Sequence, residues 1–162
     1  MFEKFGEFNS YEEINKKAEE LKAAGSEKEL LSLCKENGID EEDGKDFFSG
    51  DIEQLVNAKM AAMGKIKAEM ADLKLKGVLS DWAGVIFQLM TDDPELAVDV
   101  RKKGKDLCGL MAKLLKSGFD SKDKLDDRIV KAAGLKPPIY LGIPSTAEVK
   151  KAIKEYYLGG NS

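Results

Sequence analysis

The sequence contains no histidine, and it has only two cysteines and four prolines among 162 residues. Without histidine, the commonest general base is missing, as are Ser-His-Asp and Cys-His arrangements and most zinc sites. Cys34 and Cys108 lie far apart, so they cannot form a structural zinc site, and we expect both to be free, buried thiols. Neither a GxxxxGK[ST] loop nor a GxGxxG loop following a strand is present. We therefore predict a protein that is not an enzyme and has no cofactor and no metal site.

Long apolar runs are also missing. No stretch of 18 residues is free of charged side chains, so we predict no membrane-spanning helix. The first ten residues, MFEKFGEFNS, lack a basic segment followed by an apolar one, so no secretory signal is predicted. Together with two unpaired cysteines, this favours a cytoplasmic location. Charged side chains make up 35% of the chain and apolar ones 43%, which is typical of a helical protein with solvated outer faces around a core.

Capping residues and glycines divide the chain into about seven predicted helices, which gives an all-α fold class. Three Ser-x-x-Glu capping boxes begin at Ser10, Ser26 and Ser145. Glycines at positions 25, 38 and 50 are placed to end three short helices. We predict an acidic N-terminal helical subdomain over residues 1–50 that packs on a main helical body over 51–158. The last residues, 159–162, are predicted to form a disordered tail.

The main body is predicted to contain three longer helices, a further helix from Asp120 or Ser121 to Gly134, an extended segment, and a last helix from Ser145 to Gly159. The first runs from about 52 to 75, with a three-four apolar stripe. After a bend at Gly77 comes the densest apolar run, which holds the only tryptophan, Trp82. A single helix is then expected from Pro94 to Gly118. Three prolines exclude a helix from Leu135 to Ser145, so this part is predicted to be an extended strap across the bundle, without a partner strand.

Charge is distributed unevenly along the chain. Residues 1–56 carry 16 acidic and 7 basic side chains, whereas residues 57–162 carry 14 acidic and 19 basic ones. Such a split indicates interaction surfaces of opposite sign, although solvated helix faces of no functional meaning would give the same pattern. The acidic candidates for partner binding are Glu12, Glu13, Glu41, Glu42 and Asp43. The basic candidates for nucleic-acid binding are Arg101, Lys102, Lys103, Lys105, Lys124, Arg128, Lys131, Lys150, Lys151 and Lys154.

Four phrases of the sequence resemble a known group of proteins. They are KENGID (35–40), DLKLKGVLSDW (72–82), VRKKGKDL (100–107), and IYLGIP (139–144) followed by EVKKAIKEYYLG (148–159). They are similar to small, poorly characterised helical proteins of phages, plasmids and integrative elements of anaerobic gut Firmicutes. Such cargo genes include inhibitors of type II CRISPR effectors. The resemblance implies a protein of a mobile genetic element, and none of the four phrases is a catalytic motif.

Three functions remain open from the sequence. The first is an inhibitor that binds a protein effector, a Cas9-type nuclease in particular, whose nucleic-acid channel is lined with Lys and Arg and would accept acidic side chains. The second is an accessory protein that binds duplex DNA non-specifically through the basic C-terminal region. The third is a structural or assembly adaptor of the mobile element. None of the three involves a membrane.

Overall fold

The computed structural model describes residues 1–159, and this part of the chain is mostly helical. The all-α class is confirmed, but nine helices are present in these residues instead of about seven. The elements are α1 (Tyr11–Ala23), α2 (Glu27–Glu36), α3 (Glu41–Ser49), α4 (Ala58–Asp72), α5 (Val78–Asp92), α6 (Pro94–Arg101), α7 (Leu107–Asp120), β1 (Asp123–Lys124), α8 (Asp127–Ala132), β2 (Tyr140–Leu141) and α9 (Thr146–Leu158). None of the helices in the described residues combines the length and the apolar content needed to cross a membrane. Residues 160–162 of the predicted disordered tail lie outside the described part of the chain.

Side-chain caps explain where most of the helices begin. The carboxylate of Asp40 accepts from the backbone N–H of Glu42 at the start of α3, and Asp93 caps α6 with Pro94 as its first residue. The predicted capping box at Ser145 is complete, because Ser145 and Glu148 each accept the other's backbone N–H. The capping box predicted at Ser10 is only half formed, since Ser10 accepts from the N–H of Glu13 but the Glu13 carboxylate accepts from the N–H of Asn9 instead of that of Ser10. The prediction for Ser26 is wrong, since its side chain makes no capping hydrogen bond.

The interior is divided into two hydrophobic clusters. The first, which we call the N-terminal cluster, is formed by α1, α2, α3 and the start of α4, and its central side chains are Ile14, Leu30, Leu33 and Phe47. The second, the main cluster, joins α4, α5, α6, α7 and α9. Trp82 is 7% exposed and lies in the main cluster. The densest apolar run is therefore part of the core, as its pattern indicates.

Helix α4 belongs to both clusters. Ala61 packs in the N-terminal cluster, whereas Ala62 and Ile66 pack in the main cluster. The end of α2 also approaches α4 very closely, because a Cβ at Gly64 would overlap the carbonyl oxygen of Asn37. The two clusters are therefore connected through one shared helix and one close backbone contact.

Helix α4 is shorter than the helix predicted from 52 to 75. It begins at Ala58, with the Asn57 side chain accepting from the N–H of Met60. The preceding residues are irregular because the amide of Asn15, on α1, accepts from the N–H of Val56 and donates to its carbonyl oxygen, at 3.0 and 2.8 Å. These two bonds use the backbone groups that a helix would need. After α4, the bend at Gly77 is present, with a φ of 57°.

The single helix predicted from Pro94 to Gly118 is wrong. It is divided into α6 and α7 by a loop that contains most of the basic run from Arg101 to Lys105. Gly104 has a φ of 84° in this loop, a conformation that glycine adopts without strain. Asp106 then accepts from the N–H of Gly109 at 2.7 Å and starts α7. The apolar spacing from Val100 to Leu107 continues the helical pattern across the loop, and this is why the pattern predicts a single helix.

The expectation that the proline-rich strap has no partner strand is also wrong. Tyr140 and Leu141 pair antiparallel with Lys124 and Asp123, respectively, and so form the two-stranded sheet β1–β2. The N–H of Leu125 extends the pairing by donating to Ile139 O at 2.8 Å. Strand β1 has only two residues, Asp123 and Lys124, and both are polar, so it has no alternating apolar pattern by which the sequence would predict a strand.

Candidate functional site

All five acidic candidates lie on α1 and α3. Glu12 and Glu13 lie in the first turn of α1, and Glu41, Glu42 and Asp43 lie in the first turn of α3. Carboxylates are favourable there, because the N-terminal end of a helix carries a partial positive charge. All five side chains are exposed except that of Asp43, which is half-buried. The two helices are joined at their C-terminal ends, where Lys22 Nζ donates to Phe47 O at 2.6 Å.

Two of the five acidic side chains form an ion pair with a lysine. Lys45 forms ion pairs with both Glu41 and Glu42, at 3.3 and 3.0 Å. Within the described residues, no basic side chain lies within 4 Å of Glu12, and hydrogen bonds to its own backbone N–H and to Ser10 lower the pKa of its carboxyl. The carboxylate of Glu13 accepts from the N–H of Asn9. The first turns of α1 and α3 therefore present carboxylates to solvent, and no described hydrogen bond or ion pair links one set to the other.

Arg101 is not part of any basic surface. Its side chain is 1% exposed, its Nη2 donates to Asn37 Oδ1 at 2.8 Å, and the ring of Phe2 lies over the guanidinium at 5.5 Å. Burial lowers the pKa of this guanidinium, against the raising effect of Glu7, Glu69 and Glu13. An arginine enclosed in this way cannot contact a phosphate, so the prediction that Arg101 binds nucleic acid is wrong.

The other basic candidates lie in three places. Lys102, Lys103 and Lys105 are in the α6–α7 loop, beside the C-terminal end of α9, where Lys105 Nζ donates to Tyr157 O and Gly159 O. Lys124, Arg128 and Lys131 lie on β1 and α8, and Lys150, Lys151 and Lys154 lie on the outer face of α9. Five of these lysines and arginines are bound to neighbouring groups of the protein itself. The ion pairs are Lys102–Asp99, Lys124–Asp127, Arg128–Asp126 and Lys151–Glu155.

A buried polar cluster, which sequence reasoning missed, holds the α6–α7 loop in place. Lys65 of α4 is fully buried, and its Nζ donates to Lys102 O and Lys105 O at 2.7 and 3.0 Å. It also forms ion pairs with Glu7 at 3.2 Å and with Glu69 at 3.9 Å. One lysine therefore satisfies two loop carbonyls and joins the N-terminal segment to α4.

Glu69 completes this cluster. Its Oε2 accepts from the N–H of Leu107 at 2.9 Å, at the first residue of α7. Burial raises the pKa of Glu69 to about 7, while Lys65 and the Leu107 N–H act in the opposite direction. The charged groups of Lys65 and Glu69 are buried and bonded to backbone groups of the α6–α7 loop and to the start of α7, which is a structural role.

The second feature that sequence reasoning missed is a group of exposed apolar side chains between α7 and α9. It includes Leu115, Phe119, Tyr140 and Leu141, which lie around one groove. The signal was present in the sequence, because Leu115 and Phe119 stand four residues apart, on a side of α7 different from that of Leu110 and Leu114.

Comparisons with protein-family models, curated proteins and solved structures gave no match to this chain. The described residues also contain no group of three or more Cys, Asp or Glu side chains that could hold a metal ion. The two cysteines are free; Cys34 is buried as expected, whereas Cys108 is exposed, which corrects the prediction for it.

Proposed function

We propose that the protein is a non-enzymatic binding protein that belongs to a mobile genetic element and inhibits a nucleic-acid-handling effector, such as a Cas9-type nuclease, by binding to it. The observation that carries this proposal is the exposed acidic face of the N-terminal helices. Carboxylates placed on a rigid surface can occupy a channel whose lysines and arginines otherwise contact phosphates. The resemblance of the four sequence phrases to mobile-element proteins supports the same target class.

The acidic face has the rigidity that such a role needs. Glu41 and Glu42 are carried by α3, which packs against α2 through Phe47 and the buried Gly44. Their helix begins at the Asp40 cap and ends at Gly50, where φ is 94°. Because the helix is anchored at both ends, little conformational freedom is lost when its carboxylates meet a basic partner.

Reversal of charge on α3 tests the proposal. The triple variant Glu41→Lys, Glu42→Lys, Asp43→Lys is expected to weaken binding to a purified Cas9-type nuclease with its guide RNA by at least about tenfold, because complementary charges become repulsive. Inhibition of target-DNA cleavage should decrease in parallel. The neutral variant Glu41→Gln, Glu42→Gln, Asp43→Asn should show a smaller loss with less disturbance of the first helical turn.

The matched control has the same change in charge at another surface. Asp72, Asp81 and Asp92 are exposed on α4 and α5, and their replacement by lysine should leave binding within about twofold. Circular dichroism of each variant checks the fold. Equal binding by the α3 variant and by the unmodified protein would contradict the acidic face as the contact surface.

Binding of duplex DNA receives less support from the geometry. Arg101 is buried, Lys105 is bound to the end of α9, and four other basic candidates have carboxylate partners. Fewer free cations mean fewer phosphates neutralised and a weaker non-specific affinity.

A further inference from the structure

The segment from α7 to α9 exposes an unusual amount of apolar surface. Twelve large apolar side chains of the described residues are exposed, and the seven that lie between 115 and 143 are 53% to 64% exposed, against 36% to 43% for the other five. The seven are Leu115, Phe119, Ile129, Leu135, Tyr140, Leu141 and Ile143. Single exposed apolar residues are ordinary, whereas a group of them in one segment marks an interaction site.

Four of the seven surround one groove. Leu115 and Phe119 form its wall on α7, and Tyr140 and Leu141 form the opposite wall on β2. The groove has a volume of about 440 Å³ and is open to solvent. Lys122 lies at this groove too, with its Nζ 3.5 Å from the centre of the Phe119 ring.

A close backbone contact keeps the two walls together. A Cβ at Gly142 would overlap the carbonyl oxygen of Gly118, and a Cβ at Gly118 would overlap that of Gly142. Pro144 packs at the same point. Because the strap is held against α7 by its backbone, the side chains on both walls remain available for a partner.

The net charge of residues 113–142, which contribute both walls of the groove and Lys122 in its lining, identifies the kind of partner. Residues 113–142 contain seven basic and four acidic side chains. Among the described residues, Lys122, Lys131 and Lys136 have no carboxylate within 4 Å, and all three are exposed. A surface that fits this one would present apolar side chains bordered by carboxylates.

We infer that this groove is a second docking surface for the same effector, and that it binds an apolar protein surface bordered by acidic side chains. The inference rests on the proposed function and adds an anchor separate from the acidic face. A protein fits the groove better than a nucleic acid does, because two of the four exposed wall side chains, Leu115 and Leu141, are aliphatic. Binding of nucleic-acid bases uses aromatic rings with free faces, and the face of Phe119 is covered by Lys122.

The test uses the full-length protein and a purified Cas9-type nuclease bound to its guide RNA. The double variant Leu115→Gln, Leu141→Gln removes one apolar side chain from each wall, and both are more than half exposed, so the fold should persist. We expect at least about tenfold weaker binding, because apolar anchors at the centre of an interface contribute most of its affinity. The control is Val78→Gln, Val98→Gln, at exposed positions on α5 and α6, which should change binding less than twofold.

A second variant tests the charged border. Replacing Lys122, which lines the groove, by glutamine should weaken binding several-fold and reduce its dependence on salt, because exposed charges are screened at high ionic strength. Loss of binding in both groove variants, with the control unchanged, supports the inference.

The remaining outcomes each overturn it. If the groove variants bind the nuclease as the unmodified protein does and the α3 variant binds it more weakly, the groove is not a docking surface, whereas the proposed function still holds. If the unmodified protein does not bind the nuclease, both the proposed function and the inference fail. If the groove variants instead lose affinity for a labelled single-stranded DNA oligonucleotide and keep it for the nuclease, the groove is a nucleic-acid site.

Discussion

At the scale of single residues, the buried charges are the part of the molecule that the sequence suggests least readily. Isolated charges in an interior are costly, and removal of one partner from a buried pair leaves the other uncompensated. Lys65 and Arg101 are nevertheless at positions that face the core. Arg101 follows Ala97 by four residues, and Lys65 follows Ala61 by four, which is the spacing of one helix face. The spacing of Lys65 and Arg101 therefore predicts buried positions, whereas their charge predicts exposed ones.

Glu69 should make the stability of the protein depend on pH. Burial raises the pKa of its carboxyl from 4.5 to about 7 in the folded protein. Between these two values the folded protein holds a proton that the unfolded chain has released, so the contribution of Glu69 to stability is present at low pH and is lost as the pH rises towards 7.

Glu69→Gln removes this titration and leaves an oxygen to accept from the N–H of Leu107. Relative to the variant, the free energy of unfolding of the unmodified protein should fall by about 2 kcal/mol between pH 5 and pH 8. Urea denaturation at the two pH values measures this difference. Glu53→Gln, at an exposed carboxyl, should behave as the unmodified protein does. An identical pH dependence for Glu69→Gln would exclude Glu69 as the source.

At the scale of secondary-structure elements, the sequence predicts well those helix starts that depend on a capping side chain, and it predicts poorly those that depend on a contact distant in sequence. Ser10, Asp40 and Ser145 begin helices as expected, because a capping side chain acts on its own first turn. The start of α4 depends on Asn15, which is 41 residues away from Val56 in the chain. No local pattern contains that information. The break between α6 and α7 was readable, since Gly104 and Asp106 are ordinary stop and start residues.

Two glycines inside helices should respond to alanine in opposite directions. In Gly64→Ala, the new Cβ would overlap the carbonyl oxygen of Asn37 where α2 meets α4. The backbones must then separate, at a cost of about 1–3 kcal/mol that exceeds the gain in helix propensity. In Gly84→Ala, on α5, the Cβ would meet no atom within 4 Å.

Gly84→Ala should therefore stabilise the protein by about 0.5–1 kcal/mol, because only the conformational freedom of the unfolded chain is reduced. Thermal or urea denaturation of both variants measures whether each substitution raises or lowers the free energy of unfolding. A stabilised Gly64→Ala would mean that the contact between α2 and α4 is looser than the structure shows.

At the scale of the whole molecule, the sequence indicated two regions of opposite charge, and the structure places them on different groups of helices. The acidic first turns lie on α1 and α3, and the basic side chains lie on β1, α8, α9 and the α6–α7 loop. The sequence indicates the apolar side chains of the α7 wall, but it does not indicate the groove, because the two walls are 20 residues or more apart in sequence and are brought together by the close contact of Gly118 with Gly142. The arrangement of surfaces depends on the fold.

The two hydrophobic clusters should unfold together. Helix α4 contributes to both, Arg101 donates to Asn37 across 64 residues of chain, and Lys65 forms an ion pair with Glu7. Loss of the N-terminal cluster would remove Asn37 and Glu7 as partners of Arg101 and Lys65 and would expose apolar side chains of α4, so a partly folded state is unfavourable. In urea, the fluorescence of Trp82, which reports on the main cluster, should therefore follow the same transition as far-UV circular dichroism, which reports on all helices. A circular-dichroism change that precedes the fluorescence change would instead show that residues 1–50 unfold as an independent subdomain.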